Sequence, residues 1–267
     1  MNIYALHTNT YHGFTLLDAV NSAIAAGFGN LEISTVKGWT EHLMPSMAKE
    51  EIERLIAMIH DHGLKVPVMS AHSDLRKDGR LSDFISSIHL AKSLGCNTIV
   101  TSSGEAHHDE ENSNEDKLID GILRALDSCS TSGMKLAIET HGRYGSGEKL
   151  LEIIDKIDSS LLGIAYDTSN VTRHGNVLPQ EDIRKCAKHV IHVHLKDKCG
   201  AFNSREFTAL GKGWIDFDSI FSELDKIGYT GVYSLEIEYF EATSPQKARI
   251  DRDVLESYQF LASIGRV

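Results

Sequence analysis

The chain has 267 residues and a formal net charge of −11, with 27 basic and 38 acidic side chains. This acidic balance argues against a nucleic-acid partner, because binding to phosphates depends on clustered Lys and Arg. No apolar stretch is long enough to cross a bilayer, and the chain opens on NIYALH rather than on a signal peptide. The four cysteines lack the CxxC spacing of metal or redox motifs. We therefore expect a cytoplasmic protein with no membrane partner.

An amphipathic helical segment, a glycine and a short apolar strand recur along the chain. The first copies read LDAVNSAIAAGFGNLEIS, IERLIAMIHDHGLKVPVMSAHS and FISSIHLAKSLGCNTIVTSS. Glycine readily takes the left-handed backbone conformation at a helix C-terminus. Glycines stand where five of the helices should end: Gly27, Gly63, Gly95, Gly133 and Gly228. The pattern predicts eight strands, over residues 2–7, 30–34, 65–71, 97–102, 135–140, 162–167, 190–196 and 231–237.

Eight alternating strand and helix units predict an α/β fold, a single (β/α)8 TIM barrel that forms one domain over residues 1–267. The competing fold is an open doubly wound sheet, which typically carries a glycine-rich phosphate turn after its first strand. The segment ALHTNTYHG has no such turn, which favours the barrel. Two long connections, 105–116 and 199–216, should lie over the barrel mouth and are candidates for closing over a substrate.

Four late strands each end in a side chain that binds metals well. They are KLAIETHG with Glu139, LLGIAYDTSN with Asp167, VIHVHLKDK with His194 and GVYSLEIE with Glu236. The carboxyl ends of barrel strands converge on one face. Burying four such groups together without a cation would be costly, so we expect them to hold one divalent ion. This oxygen-rich ligand set favours Mn, Mg or Co, and Zn is a further candidate.

An ion held in this way can polarise a carbonyl and stabilise the enediolate that forms when the neighbouring carbon loses a proton. Glu139 and Glu236 arrive from the fifth and eighth strands and are the candidate general acid/base pair. Asp167 and His194 are then mainly ligands. The sequence thus predicts a metal-dependent isomerase or epimerase that acts on a small sugar, keto-sugar or sugar acid.

Five further side chains are candidates for substrate binding, each with a structural alternative. His72 and His141 either hold a sugar hydroxyl or make an ordinary structural hydrogen bond. Lys196 either steadies an enediolate oxygen, a carboxylate or a phosphate, or is a solvated lysine. Trp39 either lies against a sugar ring or packs a loop onto the barrel. Glu105 either reaches the site or belongs to a solvated loop.

The segments AIETHG, YDTSN, HVHLKD and SLEIE resemble the metal-site segments of the xylose isomerase-like TIM barrel superfamily, the sugar phosphate isomerase/epimerase family. The resemblance covers essentially the whole chain. It implies Glu139, Asp167, His194 and Glu236 as the ligands of one divalent ion, with Glu139 and Glu236 as the catalytic carboxylates. It also implies a small carbohydrate substrate. Members commonly associate through barrel helices, so a homo-oligomer is an open expectation.

The chain also departs from the superfamily pattern at two positions. Ketose 3-epimerases of the superfamily carry a His where this chain has Asn170, and an Arg near the position of Gly200. The resemblance therefore leaves the substrate contacts open. A lyase, dehydratase or decarboxylase that passes through the same enediolate is the main alternative. A hydrolase like the abasic-site endonucleases is disfavoured, because those enzymes gather three zinc ions with additional His and Asp ligands. Two acids at the metal argue against a barrel that only binds sugar.

Overall fold

The computed structural model describes residues 2–104, 114–240 and 246–267. Eight parallel strands of these ranges close into a barrel, and two short strands form an antiparallel ribbon beyond it. In chain order the strands are β1 (Ile3–His7), β2 (Asn30–Ser34), β3 (Lys65–Ser70), β4 (Thr98–Thr101), β5 (Lys135–Glu139), β6 (Leu162–Asp167), β7 (Val190–Leu195), β8 (Asp197–Lys198), β9 (Phe207–Thr208) and β10 (Val232–Leu235). The barrel order is β1, β10, β7, β6, β5, β4, β3, β2, and β1 pairs with β2 to close it.

Helices alternate with the barrel strands. In chain order they are α1 (Leu16–Ala26), α2 (Lys49–Asp61), α3 (Asp78–Ser93), α4 (Glu115–Ser132), α5 (Gly147–Ile157), α6 (Asn170–Arg173), α7 (Pro179–Cys186), α8 (Phe217–Lys226) and α9 (Lys247–Ser263). The five glycines that the sequence places at helix ends all have positive φ, so that prediction is confirmed. Within the described ranges, no helix is both long enough and apolar enough to cross a bilayer.

Side chains along each strand alternate between the helices and the barrel interior. In β5, Leu136 and Ile138 belong to the large hydrophobic cluster that includes the helix side chains. Ala137 belongs instead to a small separate cluster inside the barrel. Glu139 lies two residues beyond Ala137 and therefore points into the interior. The same two-residue period turns acidic and imidazole side chains of other strands inward above this small apolar layer.

The single (β/α)8 barrel predicted from the sequence is confirmed, with strand ends that shift by one or two residues. The last barrel strand, expected to reach residue 237, ends at Leu235, so Glu236 lies just beyond it. The connection at 199–216 is held by Asp197. Its carboxylate accepts hydrogen bonds from four backbone N–H groups at 2.8–3.2 Å. The other long connection, predicted to close over the mouth, lies outside the described residues except for 114–116.

Candidate metal centre and active site

The four residues predicted as ligands meet at the mouth of the barrel. One potential ligand atom from each of Glu139, Asp167, His194 and Glu236 lies within 4.8 Å of every other, and all four side chains are buried. Glu139 and Asp167 end β5 and β6, His194 lies one residue before the end of β7, and Glu236 follows β10. Because β5, β6, β7 and β10 are consecutive neighbours in the barrel, their ends lie side by side.

Asp167 is anchored by the chain that follows it. Its Oδ1 accepts hydrogen bonds from the backbone N–H groups of Ser169 and Asn170, both at 2.8 Å. These bonds hold the carboxylate against the turn that leads into α6. Its second oxygen, Oδ2, lies 3.9 Å from His194 Nδ1. The local turn after β6 therefore fixes one oxygen of Asp167 and leaves the other facing the neighbouring strand ends.

Glu236 is anchored in the same way, but from the first strand and the turn after it. Asn9 donates from Nδ2 to Glu236 Oε1 at 2.7 Å, and His7 Nδ1 lies 3.2 Å from the same oxygen. Glu236 Oε2 lies 3.6 Å from His194 Nδ1. Asn9 is a site residue that the sequence analysis missed, and its place in the polar run HTNTY carries no distinctive signal.

The donor set fits a divalent cation. Asp167 Oδ2 and Glu236 Oε2 are both buried and accept no hydrogen bond of good geometry from the residues that the structure describes. Glu139 Oε1 lies 2.8 Å from His194 Nδ1. Two ligands of one small divalent ion, each about 2.1 Å from it, are typically about 3 Å apart. The separations of 2.8, 3.6 and 3.9 Å from His194 Nδ1 range from close to that value to just under the roughly 4.2 Å that separates ligands on opposite sides of such an ion.

The other ring nitrogen of His194 contacts a residue that the sequence analysis missed. Nε2 lies 3.1 Å from Glu32 Oε1, in hydrogen-bonding geometry. Burial lowers the pKa of His194, but the carboxylates of Glu32 and Glu139 outweigh burial and raise the pKa well above its usual value. Glu32 lies between the outward-facing Leu31 and Ile33 in NLEIS. A charged residue at an inward-facing position of an apolar strand was the sequence signal that could have identified Glu32 as part of the site.

Lys196 is buried among carboxylates, which excludes the solvated lysine considered from sequence. Its side chain is 2% exposed. Its Nζ lies 3.0 Å from Asp167 Oδ2, 2.8 Å from Glu236 Oε2 and 2.9 Å from Glu238 Oε2. Burial lowers the pKa of Lys196, yet these carboxylates raise it well above its usual value. The amine therefore stays positively charged beside two of the four candidate ligands.

The predicted acid/base pair is ionised at neutral pH in the metal-free chain. Burial raises the pKa of Glu139, but His72 and His194 outweigh burial and lower the pKa to about 2. Burial also raises the pKa of Glu236, and Lys196 and His7 shift it well below its usual value. Both carboxylates are thus available as proton acceptors. Asp167 differs, because burial raises its pKa to about 6 although Lys196 opposes the shift.

Four of the five predicted substrate contacts line the cavity at the barrel mouth: Trp39, His72, His141 and Lys196. Trp39 donates from Nε1 to Asn9 Oδ1 at 3.1 Å, which couples this side chain to the residue that anchors Glu236. His72 Nε2 lies 3.5 Å from Glu139 Oε2. Glu105, the fifth, lies outside the described residues. Binding of substrate by these side chains stays a prediction.

The cavity also contains residues that the sequence analysis did not assign to substrate binding. Asn170, which replaces the epimerase His, lines it together with Arg173 and Glu238. Arg173 contacts His174, with 2.9 Å between Nη1 and Nε2. Arg173 lies in α6, one turn beyond Asn170. No local pattern in YDTSNVTRHG marks this arginine for the site.

The closed barrel and the acidic and imidazole side chains at its strand ends define one class of protein. The chain belongs to the xylose isomerase-like TIM barrel family, whose model matches residues 20–258. It is similar to L-ribulose-5-phosphate 3-epimerase UlaE of Salmonella paratyphi C, with 24% identity over 243 residues that cover 86% of this chain and 84% of the relative.

Two further proteins extend this comparison. Inosose dehydratase of Geobacillus kaustophilus is 26% identical over 238 residues, covering 75% of this chain and 76% of the relative. The solved structure of a xylose isomerase-like TIM barrel protein from Mycobacterium smegmatis, in complex with magnesium, matches with a TM-score of 0.79 at 18% identity. That match covers 98% of this chain and 97% of the other, and it shows the shared fold.

Proposed function

We propose that this protein is a divalent-metal-dependent isomerase or epimerase that moves a proton next to the carbonyl of a small sugar, keto-sugar or sugar acid. The observation that carries the proposal is the meeting of Glu139, Asp167, His194 and Glu236 at one end of the barrel. Three carboxylates around one imidazole form an oxygen-rich donor set that suits Mg, Mn or Co, with Zn as a further candidate.

Glu139 and Glu236 are the proposed proton carriers. A divalent ion bound here would supply a Lewis acid that polarises the carbonyl and stabilises the enediolate. Glu139 and Glu236 reach the cavity from β5 and from the end of β10, which are separated in the barrel by β6 and β7. A substrate between them would have one carboxylate on each side of the reacting carbon. The ionised carboxylate removes the proton, and the other, which must hold a proton when the substrate is bound, returns that proton to the opposite face and so inverts that carbon.

Lys196 and Trp39 are the proposed substrate contacts with the clearest chemistry. The charged amine of Lys196 faces the cavity beside Glu236 and can donate a hydrogen bond to an oxygen that becomes negative in the enediolate. Trp39 offers an apolar ring surface to the carbon skeleton of a sugar. Together they favour a substrate with a polar reacting end and an apolar ring or chain face.

The relatives agree with this chemistry. The similarity to an L-ribulose-5-phosphate 3-epimerase supports a ketose or ketose phosphate as the substrate class. The magnesium in the M. smegmatis neighbour supports a divalent ion as the cofactor. Both proteins share most of their length with this chain.

A dehydratase is the second candidate, and the similarity to inosose dehydratase favours it. Loss of water begins with the same proton removal and then needs a proton donor at the departing hydroxyl. His72 and Lys196 both line the cavity and are candidates for that donor. The two functions therefore differ in the step that follows the enediolate, and the products distinguish them.

The decisive experiment measures bound metal in the purified protein and then deuterium incorporation from heavy water by NMR. The panel contains ketoses, ketose 5-phosphates, sugar acids and an inosose. We expect one ion per chain and deuterium at the carbon next to the carbonyl, with loss of exchange after chelation. Formation of an unsaturated product would select the dehydratase. An ion-loaded protein that exchanges no proton in any of these substrates would contradict both functions.

A variant at His194 tests the ligand set. His194→Ala removes the single nitrogen donor among the four candidate ligands, so we expect metal affinity to fall at least about tenfold. Isothermal titration with Mg²⁺ and elemental analysis measure this. His174→Ala is the control, since His174 contacts Arg173 and is not one of the four clustered residues. Equal metal loading of the His194 variant and the parent would remove His194 from the ligand set.

A further inference from the structure

Glu32 lies inside the barrel, next to the ring nitrogen of His194 that faces away from the other three candidate ligands. It is fully buried in the middle of β2, and its neighbours Leu31 and Ile33 face the helices. Two strands, β1 and β10, separate β2 from β7 in the barrel order. The Glu32 side chain therefore crosses the interior to reach the histidines of β7, which are at least 160 positions away in the chain.

The carboxylate of Glu32 contacts two imidazoles, one with each oxygen. Oε1 lies 3.1 Å from His194 Nε2, and Oε2 lies 2.9 Å from His192 Nε2. All three side chains are fully buried. His194 has its other nitrogen, Nδ1, on the opposite side of the ring, among Glu139, Asp167 and Glu236. One ring thus connects Glu32 to the cluster at the mouth.

The ring of His194 is held from its face as well as from its edges. His7 stacks on it with 5.0 Å between the ring centroids and 20° between the planes. His192 meets it edge-on at 4.8 Å. These contacts restrict rotation of the ring, so the Nε2 edge stays towards Glu32 and the Nδ1 edge towards the mouth.

We propose that Glu32 is a positioning residue that holds the hydrogen of His194 on Nε2 and so keeps the Nδ1 lone pair for a metal ion. Both ring nitrogens of His194 face carboxylates in the metal-free chain, so an ion at the mouth must replace the hydrogen on Nδ1, because a nitrogen that carries a hydrogen cannot be a ligand. A carboxylate that ligates the ion no longer favours a hydrogen on Nδ1, whereas Glu32 still only accepts hydrogen bonds and therefore favours the hydrogen on Nε2. Its negative charge also makes the ligating nitrogen more basic. This inference rests on the proposed metal site.

Glu32→Gln tests the proposal with little change of shape. The amide oxygen can still accept from Nε2, but the charge is lost and the NH₂ group competes for the same position. Loss of such a partner typically weakens metal binding by about 10- to 100-fold, and we expect a weakening in that range for Mg²⁺ measured by titration calorimetry. Ser234→Ala is the control, because Ser234 is also fully buried on β10 opposite His194 and its hydroxyl has no hydrogen-bond partner within the described ranges. We expect the Mg²⁺ affinity of the Ser234→Ala variant to stay within about threefold of the parental affinity.

A second measurement determines the hydrogen position in the parent protein itself and uses one variant only to assign the signal. Long-range ¹H–¹⁵N NMR of the Mg²⁺-loaded protein should show the His194 hydrogen on Nε2, with the signal assigned by its absence in His194→Ala. A hydrogen on Nδ1 would overturn the inference, and so would parent-like affinity in Glu32→Gln. An equal loss of affinity in Ser234→Ala would overturn it too, since the effect would then be general to the interior. A parent that binds no Mg²⁺, Mn²⁺, Co²⁺ or Zn²⁺ would overturn the proposed function together with this inference.

Discussion

Replacing Glu236 by Gln should lower kcat by about 10²- to 10⁴-fold, the usual contribution of a positioned general acid or base. The amide keeps an oxygen that can accept from Asn9, so the local shape is preserved, but it cannot take up a proton. The same loss is expected for Glu139→Gln. Because both residues are also candidate ligands, turnover must be measured at a metal concentration that gives equal occupancy in parent and variant.

Solvent exchange separates proton transfer from metal binding. If each carboxylate serves one face of the reacting carbon, each Gln variant should still exchange the proton of one epimer with solvent while failing to convert it. The two variants should show complementary preferences in heavy water. Glu238→Gln is the matched control, since Glu238 also contacts Lys196 but lies outside the four-residue cluster. We expect kcat of the Glu238→Gln variant to fall by less than about tenfold. A Glu139 or Glu236 variant that keeps more than about a tenth of parental turnover with its ion bound would exclude that residue as an acid or base.

Replacing Lys196 by Met should destabilise the metal-free protein by about 3–5 kcal/mol, the usual cost of breaking a buried ion pair from one side. The change leaves the carboxylates of Asp167, Glu236 and Glu238 buried without their shared cation. Urea unfolding with and without Mg²⁺ measures the effect. We expect the ion to restore much of the lost stability, because it returns positive charge to Asp167 and Glu236.

Lys198→Met is the control for this experiment. Lys198 is fully buried two residues further along, but its Nζ contacts the hydroxyl of Thr172 and the carbonyls of Phe202 and Ser204 rather than carboxylates. Its removal should cost about 1–3 kcal/mol, the penalty for unpaired neutral groups, and Mg²⁺ should not recover it. Equal losses in the two variants, both insensitive to the ion, would show that Lys196 acts by packing alone.

Local sequence signals were sufficient for the barrel and for the composition of the four-residue cluster. The helical period, the glycines after helices and the short apolar strands are properties of neighbouring residues, and the structure confirms the eight-stranded barrel that they predict. Glu139, Asp167, His194 and Glu236 were recognisable because each stands at or next to the end of an apolar strand. Parallel strands bring their carboxyl ends to the same face, so strand position alone was enough to predict their approach.

Contacts across the barrel were decided by the tertiary structure. Asn9 and Glu236 are 227 positions apart, and Glu32 and His194 are 162 apart. Alternation along β2 turns Glu32 inward, but only closure of the barrel determines which side chain it meets there. The same holds for Lys196. Its position just beyond β7 could be predicted from the sequence, but its burial depends on the carboxylates of Asp167 and Glu236 at two other strand ends. Sequence periodicity encodes the direction of a side chain, and the closed sheet determines its partners.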